Sequence, residues 1–361
     1  MATTYGATSS APKRTMSSTS SVATGIARTK ILLLGQRRSG KTSINEVLFN
    51  ALPPKQTFYL ETTMRIVKHT YDTVIPLEIW DCPGNITVDT LGAPLSQFSA
   101  LIFVIDIRDL YKQPISKLVE FIVAAYHDNP QIHVEIFVHK AEKLQEDDKI
   151  ENFRQIQERV QDHLMERECE QMPYNFHLTS VYDHSLHEAF SKVLHKLIHS
   201  LPFLEDLLNV FCANSQSPKA FLFDAASRLY VATDASPVDS ATHNLCCDYL
   251  SMLNAFGPLY RSPTSSATRL RIPAAEPSPD NPTPAETKDR FYPSAAASLH
   301  PSAPGTTLTY HSITPHLALL ALVPTGVYEG RRGLLEYNVV FFREGVQEIC
   351  AVEHEARGGS G

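Results

Sequence analysis

The run Gly35-Gln36-Arg37-Arg38-Ser39-Gly40-Lys41-Thr42 has the spacing G-x-x-x-x-G-K-[ST], which suits the enclosure of a polyphosphate. Its glycines let the backbone curl so that successive N–H groups face inward. A helix starting directly after it adds positive potential where an anion would lie. From that geometry Lys41 reaches the second and third phosphates, and the Thr42 hydroxyl is placed to hold a Mg²⁺ ion bridging them.

A second element, Trp80-Asp81-Cys82-Pro83-Gly84, fits D-x-x-G at the end of an apolar run. There Asp81 can hold a magnesium-bound water and the Gly84 N–H can meet a third phosphate, while Pro83 stiffens the start of the segment. Between the two lies the polar-aromatic stretch 57–63. A threonine in it, with Thr63 expected over Thr62, closes on metal and phosphate only when the third phosphate is present. An ordinary strand-edge threonine is the competing reading, because nothing local separates these two residues. Further on, His139-Lys140-Ala141-Glu142 places a carboxylate that can accept from both N1–H and the 2-amino group of guanine, a pair adenine lacks. Leu178-Thr179-Ser180-Val181 is expected to offer a backbone N–H to the guanine O6.

Other residues with chemical potential read as background. His184, His187, His195 and His199 crowd one helical stretch, but no Cys or carboxylate at suitable spacing completes a tetrahedral set, so a solvated histidine-rich face is expected. Asp147 and Asp148 mark an exposed helix end. Six cysteines show neither zinc-type spacing nor disulfide density and are expected as reduced, mostly buried thiols.

The elements that must carry these groups alternate. Short apolar runs at 31–34, 74–80, 100–106, 132–138 and 174–178 are separated by helical periods at 41–50, 115–126, 150–169 and 185–199, with 64–71 as an added strand. That order predicts an α/β fold: an open, mostly parallel sheet of about six strands, helices on both faces, and ligand at the strands' carboxyl ends. After residue 202 a separate, smaller α+β unit is expected: a helix at 204–213, strands at 220–224 and 229–233, a helix at 240–256, strands at 307–313 and 317–323, and a helix at 333–350.

Residues 1–29 read as a disordered tail and 351–361 as a second one. The stretch 262–305 holds nine of the 24 prolines and reads as a disordered insertion. An apolar content of 43% and a charged content of 20% are ordinary for a globular chain, and a net charge of −7 argues against nucleic acid as partner. No apolar run of spanning length, second-position glycine or C-terminal prenylation cysteine is present, so any membrane address is expected to come from partners.

Taken with FYLETTMRI, ALIFVID, LTSVYDHSLHEAFSKV and KAFLFDAASRLYVATDASPVD, these motifs resemble the Rag branch of the Ras-like small GTPases, and in particular its C/D-type subunit, over about 30–350. The resemblance implies a Ras-like GTPase domain at 30–200 and a roadblock/longin-like dimerisation domain at 203–350. It implies GTP or GDP as bound nucleotide, a Mg²⁺ cofactor and hydrolysis aided by an activating protein. It implies a heterodimer with an A/B-type Rag subunit, cytoplasmic and in part nuclear, held at the lysosomal or vacuolar membrane by a Ragulator/EGO-type scaffold. That dimer relays amino-acid sufficiency to the target-of-rapamycin kinase complex.

Carried over by motif, Gly35, Arg38, Ser39, Gly40, Lys41, Thr42 and Ser43 wrap the phosphates, with Thr57 beside them. Thr42, Thr63 and Asp81 bind the metal; Gly84 senses the third phosphate; His139, Lys140, Glu142, Ser180 and Val181 frame the base. Lys41, Thr63 and Asn85 are the catalytic candidates. Asn85 stands where the family has glutamine, which implies slow unassisted hydrolysis; Glu142 replaces an aspartate; and the segment after Asn85 is short and contains Gly92 and Pro94. A subunit that holds nucleotide without turnover, and an ATP-dependent phosphotransferase, are the alternatives.

Overall fold

The computed structural model describes residues 28–73, 75–109, 112–167, 169, 171–260, 293–299 and 305–358. Most of the first expected tail and of the expected insertion lies outside these, as do 359–361 and Val74 of the expected strand 74–80.

The first sheet is built from β1 (Thr29–Gly35), β2 (Val67–Asp72), β3 (Pro76–Asp81), β4 (Ala100–Asp106), β5 (His133–His139) and β6 (Tyr174–Thr179). Their spatial order is β2-β3-β1-β4-β5-β6, parallel except for β2, which pairs antiparallel with β3. Helices α1 (Lys41–Phe49), α2 (Lys112–Asp128), α3 (Glu146–Met165) and α4 (Ser185–Leu197) alternate with the strands. The all-apolar interior of β1 and β4 reflects a sheet covered on both faces: Ile31 and Leu33 join one cluster, Leu32 and Leu34 the other. α3 begins earlier than its apolar period indicates because Glu146, Asp147 and Asp148 fill its first turn, where the helix dipole favours acids. β2 begins later than the sequence indicates, since Thr63 is drawn toward α1.

The second sheet is antiparallel, in the order β8-β7-β11-β10-β9. It contains β7 (Lys219–Asp224), β8 (Tyr230–Thr233), β9 (Ser294–Ser298), β10 (Thr306–Ser312) and β11 (Leu317–Pro324), with helices α5 (Leu201–Ser215), α6 (Ser240–Tyr260), α7 (Thr325–Gly330) and α8 (Arg332–Gly358). The period of two along β7 sorts its faces: Ala220 and Leu222 pack with Leu204, Leu208 and Phe342, whereas Phe221 and Phe223 pack with Cys246, Cys247 and Leu250 of α6.

Four expectations are corrected here. Within the insertion expected to be disordered, Ser294–Ser298 pairs with β10, since an edge strand needs only small side chains such as Ala295 and Ala297 against the α6 core. Helix α8 runs past 350 into the expected tail, anchored by Glu353, which accepts a hydrogen bond from Ser200. Thr29, expected in the first tail, opens β1.

The fourth concerns the histidines, because the second unit packs against α4: Phe190, Val193 and Leu197 cluster with Leu229 and Val231. Along α4, the Ser191 hydroxyl accepts the Tyr230 N–H at 3.0 Å and His195 Nε2 donates to the Tyr230 carbonyl at 3.2 Å, which satisfies an otherwise open sheet edge. The histidine stretch is therefore a solvated face only at His199, with His184 partly buried. His187 is 3% exposed, and burial holds His195 neutral, its pKa pushed down to about 4. Of the six thiols, Cys82, Cys169, Cys246 and Cys247 are buried and Cys212 and Cys350 partly so, all of them free.

Candidate functional site: a polyphosphate and base cleft

A cleft of about 890 Å³ opens at the carboxyl ends of the first sheet, where chain reversal around β1 separates the loops. A larger hollow of about 1140 Å³ lies at the opposite end, between Phe98, Leu207, Val210 and Ile349; it is mainly apolar and holds none of the expected site residues.

At the phosphate end the loop after β1 closes on itself. The Lys41 ammonium is 5% exposed and donates to the carbonyls of Gly35 (3.0 Å) and Gln36 (2.9 Å). Burial lowers its pKa to about 8, partly opposed by the Asp81 charge. Gly40 has φ 113°, and a Cβ there would sit 2.6 Å from His139 Cδ2, so a side chain would drive the loop off β5. His139 itself is buried, its Nδ1 2.9 Å from the Thr179 hydroxyl, and burial holds it neutral with a pKa of about 3. It serves as a wall behind the loop.

A phosphate beside Lys41 would raise its pKa again, so binding should take up a proton above pH 8. Affinity for a nucleoside triphosphate is therefore expected to fall by up to tenfold per pH unit as pH rises past about 8. The unliganded fold gains stability over the same range, up to the ordinary lysine value of 10.5, because the unfolded chain binds the proton more tightly there. Titration calorimetry at stepped pH checks the first effect, and a flat profile would refute it.

Below the loop three oxygens converge. Thr42 Oγ1 donates to Asp81 Oδ2 at 2.6 Å, and Thr63 Oγ1 lies 2.7 Å from Thr42 Oγ1 and 3.1 Å from Asp81 Oδ2. This separates Thr63 from Thr62. The other carboxylate oxygen, Asp81 Oδ1, is buried with no hydrogen-bond partner among the described residues. A hard, all-oxygen set with an orphaned carboxylate atom fits a magnesium ion.

At the base end Glu142 Oε2 accepts the Ser180 hydroxyl at 2.7 Å, while Ser180 Oγ accepts the Tyr182 N–H at 3.0 Å. Lys140, in the left-handed region at φ 64°, donates to the Arg38 carbonyl at 2.5 Å and to Asp106 Oδ2 at 2.9 Å, tying the base loop to the phosphate loop. Burial alone would raise the Asp106 pKa, but hydrogen bonds from Arg108 and Lys140 hold it at about 2.

Arg38, Gly40, Lys41, Thr42, Ser43, Thr57, Thr63, Gly84, His139, Lys140, Glu142 and Val181 all line the cleft. Asp81 sits beneath Thr42, and Ser180 stands behind Glu142. The Thr57 hydroxyl is committed to the Pro54 carbonyl at 2.7 Å. Ser39 borders a neighbouring hollow with Asp106 and Arg108, and its buried hydroxyl has no partner among the described residues; Gly35 ends β1 above it. Asn85 is exposed and does not border the cleft. The chain turns outward there because Ile86, Leu91, Leu95 and Phe98 are buried beyond it. Exposing each would cost about 1.5–3 kcal/mol, more than the ~1 kcal/mol a single hydrogen bond returns, so 86–98 is held against the core in this structure.

Sequence reasoning missed Arg37, Arg108, Lys143 and Tyr182, which line the cleft as well. Tyr182, 51% exposed with the Lys143 ammonium 5.9 Å from its ring centroid, was detectable only as an aromatic following the Ser180-Val181 pair.

A protein-family model described as "Gtr1/RagA G protein conserved region" matches residues 30–250. The chain is 37% identical over 324 residues to the GTP-binding protein gtr2 of Schizosaccharomyces pombe, covering 89% of this chain and 97% of that protein. It is 36% identical to the Ras-related GTP-binding protein C of Homo sapiens, covering 90% and 77%. To the Ras-related GTP-binding protein A of Dictyostelium discoideum it is 25% identical, covering 59% and 72%.

Proposed function

This chain belongs to the Gtr1/RagA family of G proteins as a Rag C/D-type, GTP-binding regulatory GTPase, and from that premise we propose that it cycles between GTP and GDP with Mg²⁺ as cofactor and acts within a heterodimer. The observation that carries the site reading is the convergence of Thr42, Thr63 and Asp81 below the phosphate loop, because Thr63 comes from the segment 57–64 and is the only one of the three outside regular secondary structure. Magnesium would be held by these three residues and would neutralise charge between the second and third phosphates. Lys41 and the loop amides bind and orient the phosphates, and Gly84 offers its N–H to the third one. Loss of the third phosphate then frees Thr63 and the flanking residues.

Phe58, Tyr59 and Met64 in that segment are 79–87% exposed, which supports their role as the face partners read in one nucleotide state. With Asn85 outside the cleft, hydrolysis is slow until an activating protein supplies the missing group. The partner in the dimer is an A/B-type Rag subunit. A Ragulator/EGO-type scaffold holds the pair at the lysosomal or vacuolar membrane, from a cytoplasmic and partly nuclear pool, where it relays amino-acid sufficiency to the target-of-rapamycin kinase complex. The antiparallel second sheet, with β9 as its edge strand among the described residues and α6 nearby, supports a roadblock/longin-like pairing module.

Chromatography of nucleotide released on denaturation, together with the native mass of the complex, is the test. The expected result is GDP or GTP and the mass of two different subunits; adenine nucleotide would favour a phosphotransferase instead. Glu142→Ala is expected to reduce the preference for guanine over adenine nucleotides by roughly ten- to a hundredfold, the loss of a charge-assisted paired contact. Unchanged competition between ATP and GTP would remove Glu142 from the base site. Single-turnover hydrolysis with the activating protein separates turnover from mere nucleotide holding.

A further inference from the structure

Residues 83–86 form a tight turn closed by the Ile86 N–H to the Pro83 carbonyl at 3.2 Å, with Gly84 and Asn85 as its central residues. On one side Gly84 lies against the phosphate loop so closely that a Cβ would stand 2.3 Å from the Arg37 nitrogen and 2.7 Å from its Cα. On the other side, from α2, Lys117 Nζ donates to the Gly84 carbonyl at 2.8 Å. That ammonium is half-buried and makes no ion pair among the described residues, so the carbonyl is its one protein acceptor there. A charged donor partly removed from water is costly to leave unmatched.

We propose that Lys117 is a positioning residue that latches the 83–86 turn onto the phosphate loop, keeping the Gly84 amide where a third phosphate would be sensed. The inference rests on the guanine-nucleotide reading of the cleft. It follows that the latch acts on the triphosphate state selectively: a diphosphate does not reach Gly84, so its affinity is indifferent to the turn. Lys117 also lies close enough to depress the Lys41 ammonium, so its charge adds to the positive field at that end of the cleft. The turn is short and bounded on both sides, by the buried Cys82, whose N–H bonds the Leu33 carbonyl, and by the buried Ile86, so a single hydrogen bond suffices to set the position of the residues between them.

The test uses the full chain carrying Lys117→Met, which keeps the stem's packing, and Lys117→Arg, which keeps the charged donor. Displacement of fluorescent guanine nucleotide should show GTP affinity falling on the order of tenfold in the Met variant, with GDP affinity and Tm unchanged and the Arg variant close to the parent. In nucleotide-free chains, hydrogen exchange in the peptide 82–91 should be faster in the Met variant. Equal losses for GDP and GTP, or exchange at the parental rate, overturn the latch. If the parent chain binds neither guanine nucleotide, the cleft reading fails in the unmutated protein. A parent that binds both with the same GTP-to-GDP ratio as the Met variant defeats Lys117 alone.

Discussion

Lys41→Met is expected to leave the protein folded while weakening its affinity for GTP by roughly a thousandfold, within the 2–5 kcal/mol typical of truncating one member of a desolvated charge pair. The two halves of that result have one origin. Without ligand Lys41 is almost wholly buried and, among the described residues, its ammonium is satisfied by the Gly35 and Gln36 carbonyls, so burial has already pulled its pKa down to about 8. Removing it forfeits two hydrogen bonds but also relieves a desolvation penalty, and methionine occupies similar space; the two effects offset and Tm should move little. With phosphate present the balance changes. On the proposed reading the ammonium is the full charge facing the second and third phosphates, and the remaining amides carry only partial charges. Calorimetry beside a thermal melt measures both halves. Parental affinity in a folded variant would show that the polyphosphate does not lie against Lys41.

Asp81→Asn should abolish the magnesium dependence of triphosphate binding, lowering affinity in magnesium by about a hundredfold, to the level seen with a chelator. The substitution keeps an oxygen acceptor for the Thr42 and Thr63 hydroxyls, which lie 2.6 and 3.1 Å from Oδ2, so the local framework persists. What disappears is the negative charge on a residue 1% exposed, whose second oxygen has no partner among the described residues. Magnesium sheds water reluctantly and is held where a carboxylate and phosphate oxygens face it together. Titrating triphosphate with magnesium and then with chelator gives the difference directly. A variant that still binds more tightly in magnesium would place the ion elsewhere.

The cleft differed in legibility from one residue to the next. Lys41 and Thr42 were readable because their neighbours in space are their neighbours in sequence: a strand, a curled loop and a helix start suffice to define where both groups point. Glu142 was readable for the same reason, as the loop directly following β5. Thr63 was ambiguous against Thr62 until the chain between α1 and β2 could be traced to Thr42, 21 positions earlier. Asn85 was a catalytic candidate through the family resemblance, since it stands where that family has glutamine, but buried residues further along pull the chain outward, and their burial depends on the whole face of the sheet. His187 and His195 looked solvated because nothing local reveals that α4 packs against two sheets.

The amino-acid order by itself determined the alternation of strands and helices, the phosphate loop and the resemblance to a nucleotide-binding family. All of these depend on periodicity and on contacts spanning a few residues. Tertiary structure alone decided which oxygens meet: parallel pairing sets Leu33 beside Asp81, and so brings the end of β3 to the start of α1. It also decided that Lys117 reaches Gly84 and that α4 closes the edge of the second sheet. Such contacts form between segments tens of residues apart, where register and packing of the complete fold, not the spacing of residues along the chain, set the distance.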